Sequence, residues 1–223
     1  MRLGPRLTQG CAENNPNQAE FERIPKRAKQ GLSTHQHQGT GFQIMVKNLR
    51  VRREKLLNAA EGYLMLDMPQ QALESLDAII DPERALFAFN YLRGMVLRHM
   101  GEHHAALDAF DVALDEQPEQ LSLLLAMAWC YKRTDRVDRA IEKMEQAYAA
   151  DPTEPIVLYN LACYWALSGN KLQSMSWLSR ALRMNADLKR LISDESDFDQ
   201  LRTDPDFEQM VEMAGAGDTP TAA

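Results

Sequence analysis

The sequence predicts an all-α fold, an α-solenoid of about four stacked helix pairs that ends in C-terminal capping helices. Three observations support this prediction. The chain repeats every 34 residues, each repeat contains two stretches in which apolar residues recur at helical spacing, and no useful length of chain alternates between apolar and polar residues. A repeat of this length holds one helix pair, and neighbouring pairs stack because a single pair cannot bury its apolar face alone.

The 34-residue period begins near Arg53 and is carried by positions that keep their character in four successive units. Three positions per unit hold small or compact apolar residues, which let two helices approach closely, and a fourth favours a turn. These positions are Ala60, Gly94, Ala128 and Ala162; Ala72, Ala106, Ala140 and Ser174; Ile79, Ala113, Ala147 and Ala181; and, at the turn, Asp67, Gly101, Asp135 and Gly169. The units span residues 53–86, 87–120, 121–154 and 155–188.

The second unit, residues 87–120, shows how each unit divides into two helices. Apolar side chains follow helical spacing from Phe87 onward, and Gly101 then ends the first helix, because glycine readily adopts the left-handed conformation of a C-cap. Helical spacing resumes at Ala106 and continues to the end of the unit. The sequence therefore predicts two antiparallel helices joined by a short turn.

The repeated residues resemble the tetratricopeptide repeat. The resemblance rests on Tyr91-Leu92-Arg93-Gly94, Gly101, Ala106, Phe110, Ala113-Leu114 and Pro118; on Met127-Ala128, Tyr131, Ala140, Met144, Ala147 and Asp151-Pro152; and on Leu161-Ala162, Trp165, Gly169, Leu178 and Ala181-Leu182. The first unit diverges: its proline, Pro82, comes two residues early, and Asp81 is predicted to cap a helix that starts at Pro82. The resemblance implies a protein-binding array, which we place at residues 43–188.

The stretch after the fourth unit resembles the "end-of-group" ending of many bacterial tetratricopeptide arrays. It is identified by Asp194, Asp197-Phe198, Leu201-Arg202 and Asp204-Pro205-Asp206-Phe207. Solenoids need such a terminal element, since the last repeat otherwise leaves an apolar face without a partner. We predict a helical cap at residues 189–213 and a disordered tail at residues 214–223.

The first 42 residues differ in composition from the rest of the chain. They are rich in Gln, Asn, Gly and His, and residues 1–44 carry six cations against three anions. Such a segment buries too little apolar surface to offset its ordering entropy, so we predict that residues 1–42 are disordered. Met45 lies where the helical pattern begins and is a candidate for the true start. His35 and His37 form a metal pair only by spacing, and no metal is predicted there.

The overall composition excludes several functional classes. A net charge of −7 argues against nucleic-acid binding. The sequence contains no run of 18 apolar residues, so no membrane span is predicted. The N-terminus lacks the apolar core of a signal peptide. Three cysteines are too few for a disulfide framework or a four-ligand zinc site. Together these features predict a cytoplasmic protein.

No pattern in the sequence predicts an enzyme, a cofactor or a metal. Nucleotide-binding glycine loops, zinc-protease helices and nucleophile elbows are absent from the sequence. Asp194, Glu195, Asp197 and Asp199 suggest calcium, but they lack the glycine and the final glutamate of an EF-hand loop, and helix N-capping explains them better. Cys163 has no activating base nearby in sequence.

The resemblance also predicts which residues would contact a ligand, because the first helix of each family repeat lines the concave groove. Transferring the family's groove positions to this sequence selects Leu57, Glu61, Tyr91, Met95, Arg98, Leu125, Trp129, Lys132, Ile156 and Tyr159. These residues form a mostly apolar and aromatic surface flanked by cations, and the alternative is that Trp129 and Tyr159 pack against neighbouring helices and complete the core. Such a surface suits a protein or peptide partner with apolar anchors and acidic residues.

The sequence therefore predicts a non-catalytic protein–protein interaction module, an adaptor or assembly scaffold that binds a peptide in the groove. Two alternatives stay open: a client-specific chaperone that shields an apolar segment, and a regulatory subunit of a signalling enzyme. Self-association through Met95, Trp129 and Tyr159 is a further possibility. The basic residues at 47–55 are predicted to form the solvated face of a helix that shields the first repeat, and the alternative is a docking site for an acidic partner or an anionic lipid.

Overall fold

The computed structural model describes residues 40–214, and these form successive antiparallel helix pairs. The pairs are α1 (Thr40–Met65) with α2 (Pro69–Asp77), α3 (Leu86–His99) with α4 (His103–Glu116), α5 (Leu121–Arg133) with α6 (Val137–Ala150), and α7 (Pro155–Leu167) with α8 (Lys171–Met184). Within this described range no strand occurs, and the predicted all-α fold of four helix pairs is confirmed. The predictions made for residues 1–39 and 215–223 lie outside the described residues.

Short helical elements follow the fourth pair. They are a 3-10 turn at Ala186–Leu188, α9 (Lys189–Ile192), a second 3-10 turn at Ser196–Phe198, and α10 (Pro205–Met213). Asp204 accepts hydrogen bonds from the backbone N–H groups of Asp206 and Phe207, which caps α10 as expected for an Asp-Pro helix start. These elements carry buried Ile192, Phe198 and Phe207, so the segment after α8 has an apolar inner side.

The predicted turn positions all adopt the left-handed backbone conformation that the sequence required. The φ angles are +59° at Asp67, +82° at Gly101, +58° at Asp135 and +78° at Gly169. In each turn the following residue donates its N–H to a carbonyl five residues earlier, at 2.9 Å. This is the longer hydrogen bond of a Schellman C-cap, and it explains why glycine or aspartate recurs there.

The predicted small-residue positions are all buried, including the polar Ser174. The closest packing occurs at Gly94 in α3, because the ring of Phe110 in α4 fills the space that a Cβ atom would need. Phe110 is itself fully buried. Small residues at these positions therefore set the approach of the two helices in a pair.

Contacts divide the described chain after Pro118 into two compact units. In the unit that contains α1 to α4, one cluster of buried core residues consists of Ala60, Ala72, Leu76, Ile79, Leu92 and Val96. The sequence predicts that Asp81 caps a helix, but its side chain makes no capping hydrogen bond. Its carboxylate instead pairs with Arg53 of α1. Pro82 starts a 3-10 turn, Pro82–Ala85, and α3 follows only at Leu86.

The unit that begins at Glu119 contains α5 to α10, and its helix α7 is buried on nearly every side. Val157 through Tyr164 are all buried, although α7 is the first helix of its pair and was predicted to present one face to a ligand. A helix that is apolar all round is expected to be enclosed. Here α7 packs against α6, α8 and the 3-10 turn at Ser196–Phe198.

Candidate functional site

In the compact unit that contains α1 to α4, the predicted site residues lie on α1 and α3 and differ in how much of their surface is exposed. Leu57 is half-buried against the core, and Met95 is only 4% exposed. Tyr91 is half-buried and stacks on Phe87, with ring centroids 5.6 Å apart. Arg98, on the last turn of α3, is also half-buried. Met95 therefore acts mainly as a core residue in this unit.

Glu61 combines partial burial with a negative charge. It lies on α1 among half-buried neighbours, and desolvation raises the pKa of its carboxyl group above the ordinary value of 4.5. A carboxylate that loses water without gaining a compensating cation destabilises the fold. A cationic or hydrogen-bond-donating partner would therefore stabilise the charged form of Glu61.

We expect Glu61→Gln to stabilise the fold at pH 7 by less than about 1 kcal/mol, because the substitution removes the desolvated charge at nearly equal helix propensity. The folded-state pKa is raised, so wild-type stability falls as the pH rises from 4.5 through that higher value. The difference between variant and wild type should vanish below pH 4.5. Urea unfolding between pH 4 and pH 8 measures it.

A matched control for this prediction lies on the same helix. Glu54 is exposed and pairs with Arg50 at 2.9 Å, one helical turn away. Glu54→Gln loses that favourable pair, so any change in stability at pH 7 should have the opposite sign. If Glu61→Gln is less stable than the wild type at neutral pH, the conclusion that the desolvated Glu61 carboxylate destabilises the fold is wrong.

In the compact unit that begins at Glu119, α5 presents an aromatic residue beside a cation. Trp129 and Leu125 are half-buried one helical turn apart, and the guanidinium carbon of Arg133 lies 5.7 Å from the Trp129 ring centroid. Tryptophan and arginine are the residues that most often dominate binding energy at protein interfaces. The Arg133 side chain, exposed at the end of α5, adds a positive charge to this aromatic surface.

A second aromatic–arginine cluster lies on α6 and α8, the second helices of the two pairs in this unit. Trp177 meets Tyr148 edge-on at 5.0 Å, and the guanidinium carbon of Arg180 lies 4.3 Å from the Trp177 ring centroid. These residues are not among those that the sequence predicts to contact a ligand. The spacing of Trp177 and Arg180, three residues apart on a helix, was the available signal.

Lys132 and Tyr159, two predicted site residues, are covered by the segment that follows α9. The ammonium nitrogen of Lys132 lies 2.6 Å from Oδ2 of Asp197 and 3.9 Å from Oε1 of Glu195. The Tyr159 ring is fully buried and meets the Phe198 ring edge-on, with centroids 5.9 Å apart. Ile156, the remaining predicted residue on α7, is half-buried.

The partners of Lys132 and Tyr159 were missed as site residues. Glu195 does cap the 3-10 turn by accepting a hydrogen bond from the Asp197 N–H, as the N-cap interpretation predicted. Asp197, however, is buried and directed at Lys132. The available signal was the apolar run Ile156–Tyr159, because a first helix without a polar face predicts a covering segment.

One group of residues has ligand atoms suitable for a metal. Cys163, Glu195 and Asp197 are buried, and one ligand atom from each lies within 4.8 Å of the others. The Lys132 ammonium already balances charge at these carboxylates, so a metal ion would have to displace it. The arrangement favours an ion pair over a metal centre.

Comparison with known proteins identifies the repeat. A family model described as "Psidin, N-terminal TPR repeats region" matches residues 63–175. The chain belongs to this family of tetratricopeptide repeat proteins. The match spans parts of all four predicted units, which confirms the resemblance. Tetratricopeptide arrays are typically non-catalytic interaction modules, so in general terms this chain is a protein–protein interaction scaffold.

Solved structures of MamA share the fold of this tetratricopeptide repeat protein. One MamA crystal structure has a TM-score of 0.57 at 18% identity, covering 70% of this chain and 99% of its own. MamA AMB-1 gives 0.60 at 12% identity, covering 78% and 96%. MamA from Desulfovibrio magneticus RS-1 gives 0.57 at 17% identity, covering 60% and 76%. No curated protein sequence matches the chain. None of its described helices is long and apolar enough to cross a membrane.

Proposed function

We propose that this tetratricopeptide repeat protein is a non-catalytic cytoplasmic adaptor or assembly scaffold that binds a peptide segment of a partner protein. The observation that carries this proposal is the surface of α5 formed by Leu125, Trp129 and Arg133. A half-buried tryptophan with a guanidinium beside its ring provides apolar area and positive charge at low entropic cost.

The chemistry of this surface indicates the chemistry of the partner. Leu125 and Trp129 suit an apolar anchor, and Arg133 suits a carboxylate near that anchor. We therefore propose a partner segment with an apolar residue and a nearby acidic residue. A pre-formed helical surface stabilises such a complex because few of its own side chains must be ordered on binding.

Trp129→Ala tests this proposal. We expect the variant to lose partner proteins that the wild type captures from a lysate of the source organism, with affinity reduced at least tenfold because a hot-spot tryptophan contributes about 2 kcal/mol or more. Quantitative mass spectrometry of the captured proteins, followed by titration with the purified partner, measures the loss.

Trp177→Ala is the matched control, since Trp177 also lies beside an arginine but on α8, a second helix of its pair. This variant should retain the partner, and both variants should keep the wild-type helical circular dichroism. If Trp177→Ala loses the partner and Trp129→Ala keeps it, the binding surface lies on α6 and α8 and the proposed site is wrong.

A further inference from the structure

The segment after α9 has the form of a bound peptide. Glu195, Asp197 and Phe198 are buried, while the neighbouring Asp194 and Asp199 are exposed. Its only regular structure is the 3-10 turn at Ser196–Phe198. The segment thus inserts three side chains over four residues between the exposed Asp194 and Asp199, and its Phe198 ring also packs on Phe207 of α10, with ring centroids 5.5 Å apart. Anchors this closely spaced are typical of a short linear recognition segment.

The surface that receives these anchors comes from two different helices of the second unit. Lys132 of α5 binds the Asp197 carboxylate at 2.6 Å, and Tyr159 of α7 meets the Phe198 ring at 5.9 Å. Both residues occupy positions that the sequence predicts to contact a ligand. The anchors have the chemistry expected of a ligand: carboxylates next to an apolar ring.

We infer that residues Glu195–Phe198 act as a tethered ligand of the surface formed by Lys132 and Tyr159. We infer further that an external partner docks there with a segment of the same chemistry, an acidic residue followed directly by phenylalanine. The inference rests on the proposed peptide-binding role. It names the chemistry of the partner segment that binds at Lys132 and Tyr159, and it states how access to these two residues is regulated. The partner must displace the chain's own segment, so the resting chain is self-occluded at Lys132 and Tyr159.

Tethering determines how strongly the chain resists an external peptide. A segment held by a short connection has an effective concentration in the millimolar range, so an untethered peptide of equal intrinsic affinity competes poorly. Removing the anchors of the tethered segment should therefore expose the surface and raise the apparent affinity for a free peptide. Removing the receiving cation should abolish binding in either background.

The test uses the full chain and a fluorescent synthetic peptide with the sequence of residues 193–200. We expect the double variant Asp197→Asn/Phe198→Ala to bind the peptide at least about 100-fold more tightly than the wild type, as measured by fluorescence anisotropy. Adding Lys132→Glu to the double variant should remove this binding. A peptide carrying the same Asn and Ala replacements should not bind any of these proteins.

A second measurement decides the question if the double variant fails to fold. In the wild type, the Leu201 N–H donates to the Phe198 carbonyl at 2.8 Å, within the turn that follows the buried ring, so exchange of this amide follows the order of the segment. Saturating peptide should accelerate hydrogen exchange at residues 196–201 while exchange in α5 stays slow. Unchanged exchange, or a folded double variant that binds no peptide at millimolar concentration, would overturn the inference. Neither measurement uses the partner that we propose for the Trp129 surface. Failure of the proposed function can therefore be distinguished from failure of this inference.

Discussion

Gly94→Ala should lower the free energy of unfolding by about 1–3 kcal/mol, although alanine is the better helix former. The added Cβ atom would overlap the Phe110 ring, which is fully buried and cannot turn away. Overpacking of this kind outweighs the gain of about 1 kcal/mol that glycine-to-alanine substitution gives within a helix.

Gly62→Ala is the matched control, because nothing lies within 4 Å of the Cβ atom it would add to α1. This variant should be more stable than wild type by up to about 1 kcal/mol. Urea unfolding monitored by circular dichroism measures both variants. Phe110→Leu should recover part of the loss in a Gly94→Ala background. Equal effects of the two glycine substitutions would show that α3 and α4 do not approach as closely as described.

Lys132→Met should lower the free energy of unfolding by about 3–5 kcal/mol, because it leaves the carboxylates of Asp197 and Glu195 buried without their cation. The Lys132 side chain is 12% exposed and that of Asp197 only 3%, so water does not replace the lost interaction while the segment stays docked. Adding Asp197→Leu to Lys132→Met should recover much of the loss, because the double variant removes one of the orphaned charges together with the cation.

The ion pair between Arg139 and Glu142 provides the comparison. Its nitrogen and oxygen atoms are 2.7 Å apart, but its side chains are 57% and 44% exposed. Arg139→Met should therefore leave the free energy of unfolding nearly unchanged, since solvent screens an exposed pair at any distance. If Lys132→Met costs no more than Arg139→Met, the segment at residues 195–198 is not held against α5 in solution.

The sequence by itself determined the features that depend on local spacing. The 34-residue period placed the helix pairs, since amphipathic spacing and turn chemistry act within a few residues. Asp67, Gly101, Asp135 and Gly169 were recognised as turns because a Schellman cap requires a left-handed residue, and all four adopt that conformation. The buried small-residue positions followed from the same period.

Only the tertiary structure decided which charged and aromatic residues meet. Lys132 and Asp197 are separated by 65 residues, and nothing in either local pattern distinguishes a buried carboxylate from an exposed helix cap. Asp81 likewise had the sequence of an N-cap but pairs with Arg53, 28 residues away. Local propensity ranks conformations of a short segment, whereas burial and charge pairing depend on which distant segment packs against it. The sequence therefore predicts Tyr159 as a ligand contact, and only the tertiary structure shows that Phe198 covers it.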